Sequence, residues 1–244
     1  MYTKKRPYLV CSKGFLYEFM MKESLKNIKC LVLDHDDTIV DSTRTVHYPA
    51  FVDYLDIHYP GVSKNYTLES YLVKNFHPGV IALFHDELGM SFEEMKREEA
   101  FWNEYVRTRV PRAFDGIREI IADFKAQGGI VAIDSHSLKP NIERDLRENG
   151  IIPPDIIYGW ELPREQRKPS PYTLLDLCER YALKPEEILV VDDLKPGFDM
   201  ARAAGTHFAA AGWAYDVPEI ESFMRAHCDY YLESVSDLRT LLFG

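Results

Sequence analysis

The chain has 244 residues, 46% hydrophobic and 28% charged, which suits one large globular domain or a domain carrying a smaller insert. Its net charge of −10 argues against nucleic acid or a membrane surface as the main partner, since both call for basic faces. Cys11, Cys30, Cys178 and Cys228 are scattered with no CxxC pair, so they read as thiols of a reducing compartment, the cytoplasm by default. No apolar run nears the roughly 18 residues that span a bilayer.

Residues 1–27 read as a poorly ordered N-terminal extension. Aromatic and apolar residues follow Lys4-Lys5-Arg6, but Ser12, Lys13 and Gly14 break the run that a signal peptide would need. Cys30–Leu33 is a short continuous apolar run, the pattern of a strand buried on both faces. It leads straight into Asp34, His35, Asp36, Asp37 and Thr38. Three carboxylates in so short a space repel one another, which implies a bound cation, a shared proton, or simply an Asp-rich turn.

From 43 to 112 the pattern turns helical and aromatic, predicting an inserted helical unit with its own small core. Ser91 and Glu94 form a capping box, and Phe92, Met95, Trp102 and Val106 share the buried side of the helix that follows. His47, His58, His77 and His85 show no ligand spacing and read as structural. Beyond 113, helices alternate with strands. A helix over about 116–127 ends at Gly128-Gly129, and Ile130–Ile133 is a strand running into Asp134, Ser135, His136 and Ser137. A helix with Pro140 in its first turn stops at Asn149-Gly150. A strand at Asp155–Tyr158 follows, then a helix capped by Ser170 with Pro171 at its first position. The strand Ile188–Val191 ends at Asp192-Asp193, and a helix near 197–204, a strand at 206–210, a helix near 218–226 and a last strand–helix pair complete the chain.

This alternation predicts an α/β fold with a mostly parallel sheet covered by helices on both faces. Residues 28–42 and 113–244 form its core, and 43–112 the insert. In a parallel sheet the strand ends face one way, so Asp34, Asp36, Ser135, Asp192 and Asp193 converge with Lys168 on one cleft. Oxygen ligands without His or Cys favour a hard ion such as Mg²⁺, and a lysine and a hydroxyl beside it suit a phosphoryl group.

These residues carry a family resemblance. Asp34-His35-Asp36-Asp37-Thr38 is similar to the DxDxT signature of the haloacid dehalogenase-like superfamily. Ser135 resembles its second motif, Lys168 in Lys168-Pro169-Ser170-Pro171 its third, and Asp192-Asp193 with Gly197 its fourth. The order and spacing match over about 25–244, and the helical insert resembles the cap of the phosphoglycolate phosphatase and β-phosphoglucomutase-like subclass. The resemblance implies a Rossmann-like core and a Mg²⁺-dependent phosphatase acting on a small phosphorylated metabolite. It implies Asp34 as the nucleophile forming an aspartyl phosphate and Asp36 as the general acid and base. Asp34, the Asp36 carbonyl, Asp192 and Asp193 would hold the metal, and Ser135, Lys168 and the backbone around His35 and His136 the phosphoryl oxygens. His35, His136 and Thr38 are the candidate substrate contacts. Asp36 also sets the chain apart from dehalogenases and phosphonate-cleaving members, which lack an acid two residues after the nucleophile. A sugar-phosphate mutase is the alternative within the superfamily, and a receiver-type signalling module the remote one outside it.

Overall fold

The computed structural model describes residues 27–244. The extension expected over 1–27 therefore lies, Asn27 apart, outside the described residues. Six parallel strands form one sheet in the order β3-β2-β1-β4-β5-β6. They are β1 (Cys30–Leu33), β2 (Ile130–Asp134), β3 (Ile156–Tyr158), β4 (Ile188–Asp192), β5 (His207–Ala211) and β6 (Tyr230–Leu232). Strand β1 lies between β2 and β4, with Leu33 opposite Ile133 on one side and Val191 on the other. That register brings Asp34 level with Asp134 and Asp192. The strand order reverses between β1 and β4, which is where open α/β sheets bind ligands beyond their C-terminal ends.

Successive side chains of β1 point to opposite faces, so its four apolar residues feed two cores. Leu31 and Leu33 pack with α4 (Ile117–Ala126), α5 (Lys139–Glu148) and α9 (Val235–Phe243). Cys30 and Val32 pack with α6 (Tyr172–Tyr181), α7 (Lys195–Ala204) and α8 (Pro218–His227). None of these β1 side chains is more than 1% exposed.

Between β1 and β2 lie α1 (Tyr48–His58), α2 (Leu68–Phe76) and α3 (Phe92–Arg107). Phe51, Tyr54, Leu55, Tyr66, Tyr71, Leu83, Phe84 and Met90 form a third cluster among them. Leu72 and Phe76 instead join the Cys30/Val32 core, where the Phe76 and Phe223 rings meet edge to face at 5.3 Å. The capping box at Ser91 and Glu94 forms as predicted. Phe92 does not take the buried side: it is 66% exposed, with the Lys96 ammonium 4.6 Å over its ring. It is the first residue of the helix.

The helical segment leaves and returns through one narrow neck. Asp41 N–H donates to the Arg112 carbonyl at 2.9 Å, Phe114 N–H donates to the Ile39 carbonyl at 3.0 Å, and Val40 bridges Ala113. The helix predicted from Ser170 begins instead at Tyr172, with Pro171 as its N-cap and no side-chain cap bond. Ser170 N–H donates to the Arg167 carbonyl at 2.8 Å, so the residues before the helix form a turn around Lys168. No described helix is long and apolar enough to cross a membrane.

Candidate active site

The turn after β1 positions the first acids. Asp37 sits at φ 55°, a left-handed conformation that Asp tolerates better than most residues. Its Oδ1 accepts the backbone N–H of Ser42 at 3.2 Å and of Thr43 at 3.0 Å, fixing the start of the helical turn Thr43–His47. Burial and the nearby Asp36 charge, opposed by the bonds from Thr43, push its carboxyl up to about 6. Asp37 therefore shapes the turn.

Asp34, Asp192 and Asp193 are buried, and each offers a carboxylate oxygen within 4.8 Å of the others. Lys168 is buried against them, donating to Asp34 Oδ1 at 2.6 Å and to Asp192 Oδ2 at 2.7 Å. Burial would discharge this lysine, but the carboxylates of Asp192, Asp34 and Asp134 outweigh it and raise the ammonium well above its ordinary value. Burial raises the Asp34 carboxyl as well, with Lys168 opposing and Asp192 and Asp36 adding repulsion. Asp193 is raised by burial and by the Asp192, Asp37 and Asp34 charges. One ammonium does not neutralise three carboxylates, so the pocket retains an unmet demand for positive charge. Its donor set is all oxygen, which fits a hard divalent cation.

Close packing enforces this geometry. A Cβ on Gly197 would lie 2.1 Å from Asp192 Oδ2, so only glycine lets α7 approach the carboxylate. Tyr215 Oη donates to Asp193 Oδ2 at 2.8 Å, and Thr38 Oγ1 donates to Asp193 Oδ1 at 3.4 Å. Thr38, read as a substrate contact, is thus fully buried and holds an acid in place.

Asp36 is held from several sides. Ser137 Oγ donates to its Oδ2 at 2.6 Å and Ser135 Oγ at 3.4 Å. His47 Nε2 lies 2.9 Å from its Oδ1, and Trp102 Nε1 donates to His47 Nδ1 at 3.0 Å. The indole donor leaves Nδ1 with its lone pair, so Nε2 carries the proton and donates to Asp36. Burial opposes charge on His47 while Asp36 pulls its pKa up, and a second proton on the ring requires surrendering the Trp102 bond. Burial alone would raise the Asp36 carboxyl, but the His35 and His47 imidazoles together hold it well below its ordinary value.

The sequence pattern missed His47, Trp102 and Ser137. The spacing of His47 marks it only as structural, and its only local signal is its place in the first helical turn after the DxDxT segment. The two other histidine candidates divide. His136 stays exposed, with its Nε2 3.2 Å from the Lys168 carbonyl and its ring edge-on to Trp160 at 5.9 Å. His35, a candidate substrate contact, is instead 1% exposed, with Nε2 3.5 Å from Asp145 Oδ2 in α5. Asp134 accepts a hydrogen bond from Thr173 Oγ1, and burial lifts its carboxyl to about 6 against the pull of Lys168. The α3 helix reaches the opposite rim as well, where Trp160 Nε1 donates to Glu99 Oε1 at 3.3 Å.

A parallel sheet with acids, a lysine and a serine at its switch point defines a class. The family model of haloacid dehalogenase-like hydrolases matches residues 28–205. The chain belongs to that family. It is 29% identical over 140 residues to a phosphoglycolate phosphatase of Nitrosospira multiformis, spanning 57% of this chain and 59% of that protein. Over 205 residues it is 26% identical to a phosphoglycolate phosphatase of Thiobacillus denitrificans, covering 80% and 88% of the two chains. A solved hydrolase of the family from Deinococcus radiodurans, with bound phosphate and sodium, superposes with a TM-score of 0.65 at 20% identity, covering 89% of this chain and 96% of that one.

Proposed function

We propose that this chain is a Mg²⁺-dependent phosphatase that hydrolyses a small phosphorylated metabolite through an aspartyl phosphate on Asp34. The observation that carries the reading is Lys168 bridging Asp34 and Asp192 beside a cluster of three buried carboxylates. The curated relatives named phosphoglycolate phosphatases support phosphate-ester chemistry.

Asp34, Asp192 and Asp193, with the Asp36 carbonyl, would hold the cation. When bound, Mg²⁺ supplies positive charge that offsets repulsion between a carboxylate nucleophile and a phosphate dianion. Asp34 attacks phosphorus, its new O–P bond forming as the ester P–O bond breaks. Asp36 gives a proton to the departing oxygen. Its carboxyl is ionised beside two imidazoles, and a phosphate dianion bound next to it raises its proton affinity for this step. Water then attacks phosphorus, gives its proton to Asp36 and releases inorganic phosphate, restoring Asp34. Lys168 holds Asp34 and offsets charge throughout, while Ser135 and the adjoining backbone face the phosphoryl oxygens. The helical segment 43–112 acts as a cap, with α3 shielding the site from bulk water.

The test is a panel of phosphorylated metabolites with Mg²⁺, beginning with phosphoglycolate and using Asp34→Asn as control. Released phosphate, abolished by that substitution and by EDTA, is the expected result. Turnover surviving Asp34→Asn overturns the nucleophile assignment, and an isomerised product without phosphate release indicates the mutase.

A further inference from the structure

His35 is a buried imidazole that the mechanism above leaves unused. Its Nδ1 is 3.3 Å from Asp36 Oδ1 and its Nε2 is 3.5 Å from Asp145 Oδ2, both within ion-pair range. Neither nitrogen has an aligned hydrogen bond, although the residue is only 1% exposed. A buried polar group in that state calls for a reason, because an apolar side chain would fill the space without loss. The acid it faces supplies one. Contacts to a catalytic acid are often long and misaligned in an empty site and tighten only when substrate is bound.

The far side of the ring is firmly anchored. Asp145 is 3% exposed and accepts both Nε and Nη2 of Arg144 on its Oδ1, at 2.8 and 2.7 Å. Arg144 in turn donates to the carbonyls of Val106, Arg107 and Arg109 at 2.8–2.9 Å, where α3 ends. His35 thus stands between the proposed acid and a fixed carboxylate on α5.

We propose that His35, backed by Asp145, is a positioning residue that orients the Asp36 carboxyl through Nδ1. This rests on the reading of Asp36 as general acid. His35 touches neither substrate nor phosphorus in this scheme; it fixes where Asp36 presents its proton.

The test compares kcat/KM for two aryl esters of similar shape with Mg²⁺. Phenolate, with a conjugate-acid pKa of about 10, needs its proton as it leaves, whereas p-nitrophenolate departs with little help. The Asn amide nitrogen takes the place of Nδ1, and that of Gln takes the place of Nε2. His35→Gln is therefore expected to lose ~10- to 100-fold on phenyl phosphate but under ~3-fold on p-nitrophenyl phosphate. His35→Asn is expected to restore most of the loss. Equal losses on both esters, or rescue by Gln rather than Asn, overturn the proposal. Adding Asp145→Asn to His35→Gln should cost nothing further, and additive losses overturn the role of Asp145. Asp36→Asn separates the two readings. If it loses both esters alike, the acid assignment fails; if it is selective while His35→Gln is not, only the present inference fails.

Discussion

Glu98 is the residue through which the electrostatics of the helical segment are open to measurement. It lies on α3, 8% exposed, one turn before Trp102. Burial and the neighbouring Glu99 charge push its carboxyl from 4.5 up to about 8. The unfolded chain releases this proton near 4.3, while the folded chain keeps it until about 8. Stability is therefore greatest below the lower value and falls as pH rises through the window between them. At about 1.36 kcal/mol for each tenfold change in proton affinity, the full loss approaches 5 kcal/mol, of which roughly 3.5 kcal/mol falls between pH 5 and pH 8. Glu98→Gln removes the proton while keeping the shape. Urea denaturation of both proteins at pH 5 and pH 8 should show the advantage of the Gln variant growing by about 3.5 kcal/mol across that interval. Parallel pH profiles would refute the reasoning, because they would mean that Glu98 is already ionised in the fold.

Three further substitutions address the site. Trp102→Phe keeps a ring stacked on His47 but removes the indole donor; a lost hydrogen bond of about 1 kcal/mol predicts a ~5-fold fall in kcat on phenyl phosphate, with KM unchanged. Lys168→Met leaves Asp34 and Asp192 buried without their shared ammonium, so urea denaturation in EDTA should show a loss of roughly 3–5 kcal/mol, with part of it recovered on adding Mg²⁺. Gly197→Ala drives a methyl group into Asp192 and should raise the half-saturating Mg²⁺ concentration ~10- to 100-fold, read from the shift of the unfolding temperature with added Mg²⁺.

Much of the fold was legible because local chemistry and global topology agree. The apolar run Cys30–Leu33, the capping box at Ser91 and the stop at Gly150, which has φ 67°, each mark an element that forms nearly as predicted. Where the reading failed, contacts between distant segments decided the outcome. The helix period groups Phe92 with Met95, Trp102 and Val106, but it cannot tell that the Phe92 ring itself stays 66% exposed. Ser170 has a capping side chain, yet the chain uses that stretch as a turn that seats Lys168 between two carboxylates. The acids and the lysine were recoverable because each follows a strand or lies in the loop before a helix, in a fixed order. His47, Trp102 and Ser137 carry no such spacing. They meet Asp36 only after the turn anchored by Asp37 folds back and α3 crosses above it.

The neck that joins the helical segment to the sheet has an architectural consequence. Entry and exit lie side by side, paired at Asp41 with Arg112 and at Ile39 with Phe114. Closing a loop whose ends are already adjacent costs only about 0.6 kcal/mol more for each doubling of its length. Length by itself is therefore cheap at this junction, and the sheet senses the segment through side-chain contacts such as those of Leu72 and Phe76. Strand β1 has the opposite character. A single inserted residue within it would exchange its two faces and carry Asp34 away from Asp192. The molecule thus combines a strand that admits no insertion with a socket, directly after it, able to receive a module of almost any size. Under the proposed function, an exchange at the socket would change what covers the site, provided that His47 and Trp102, which hold Asp36 from within the segment, are kept.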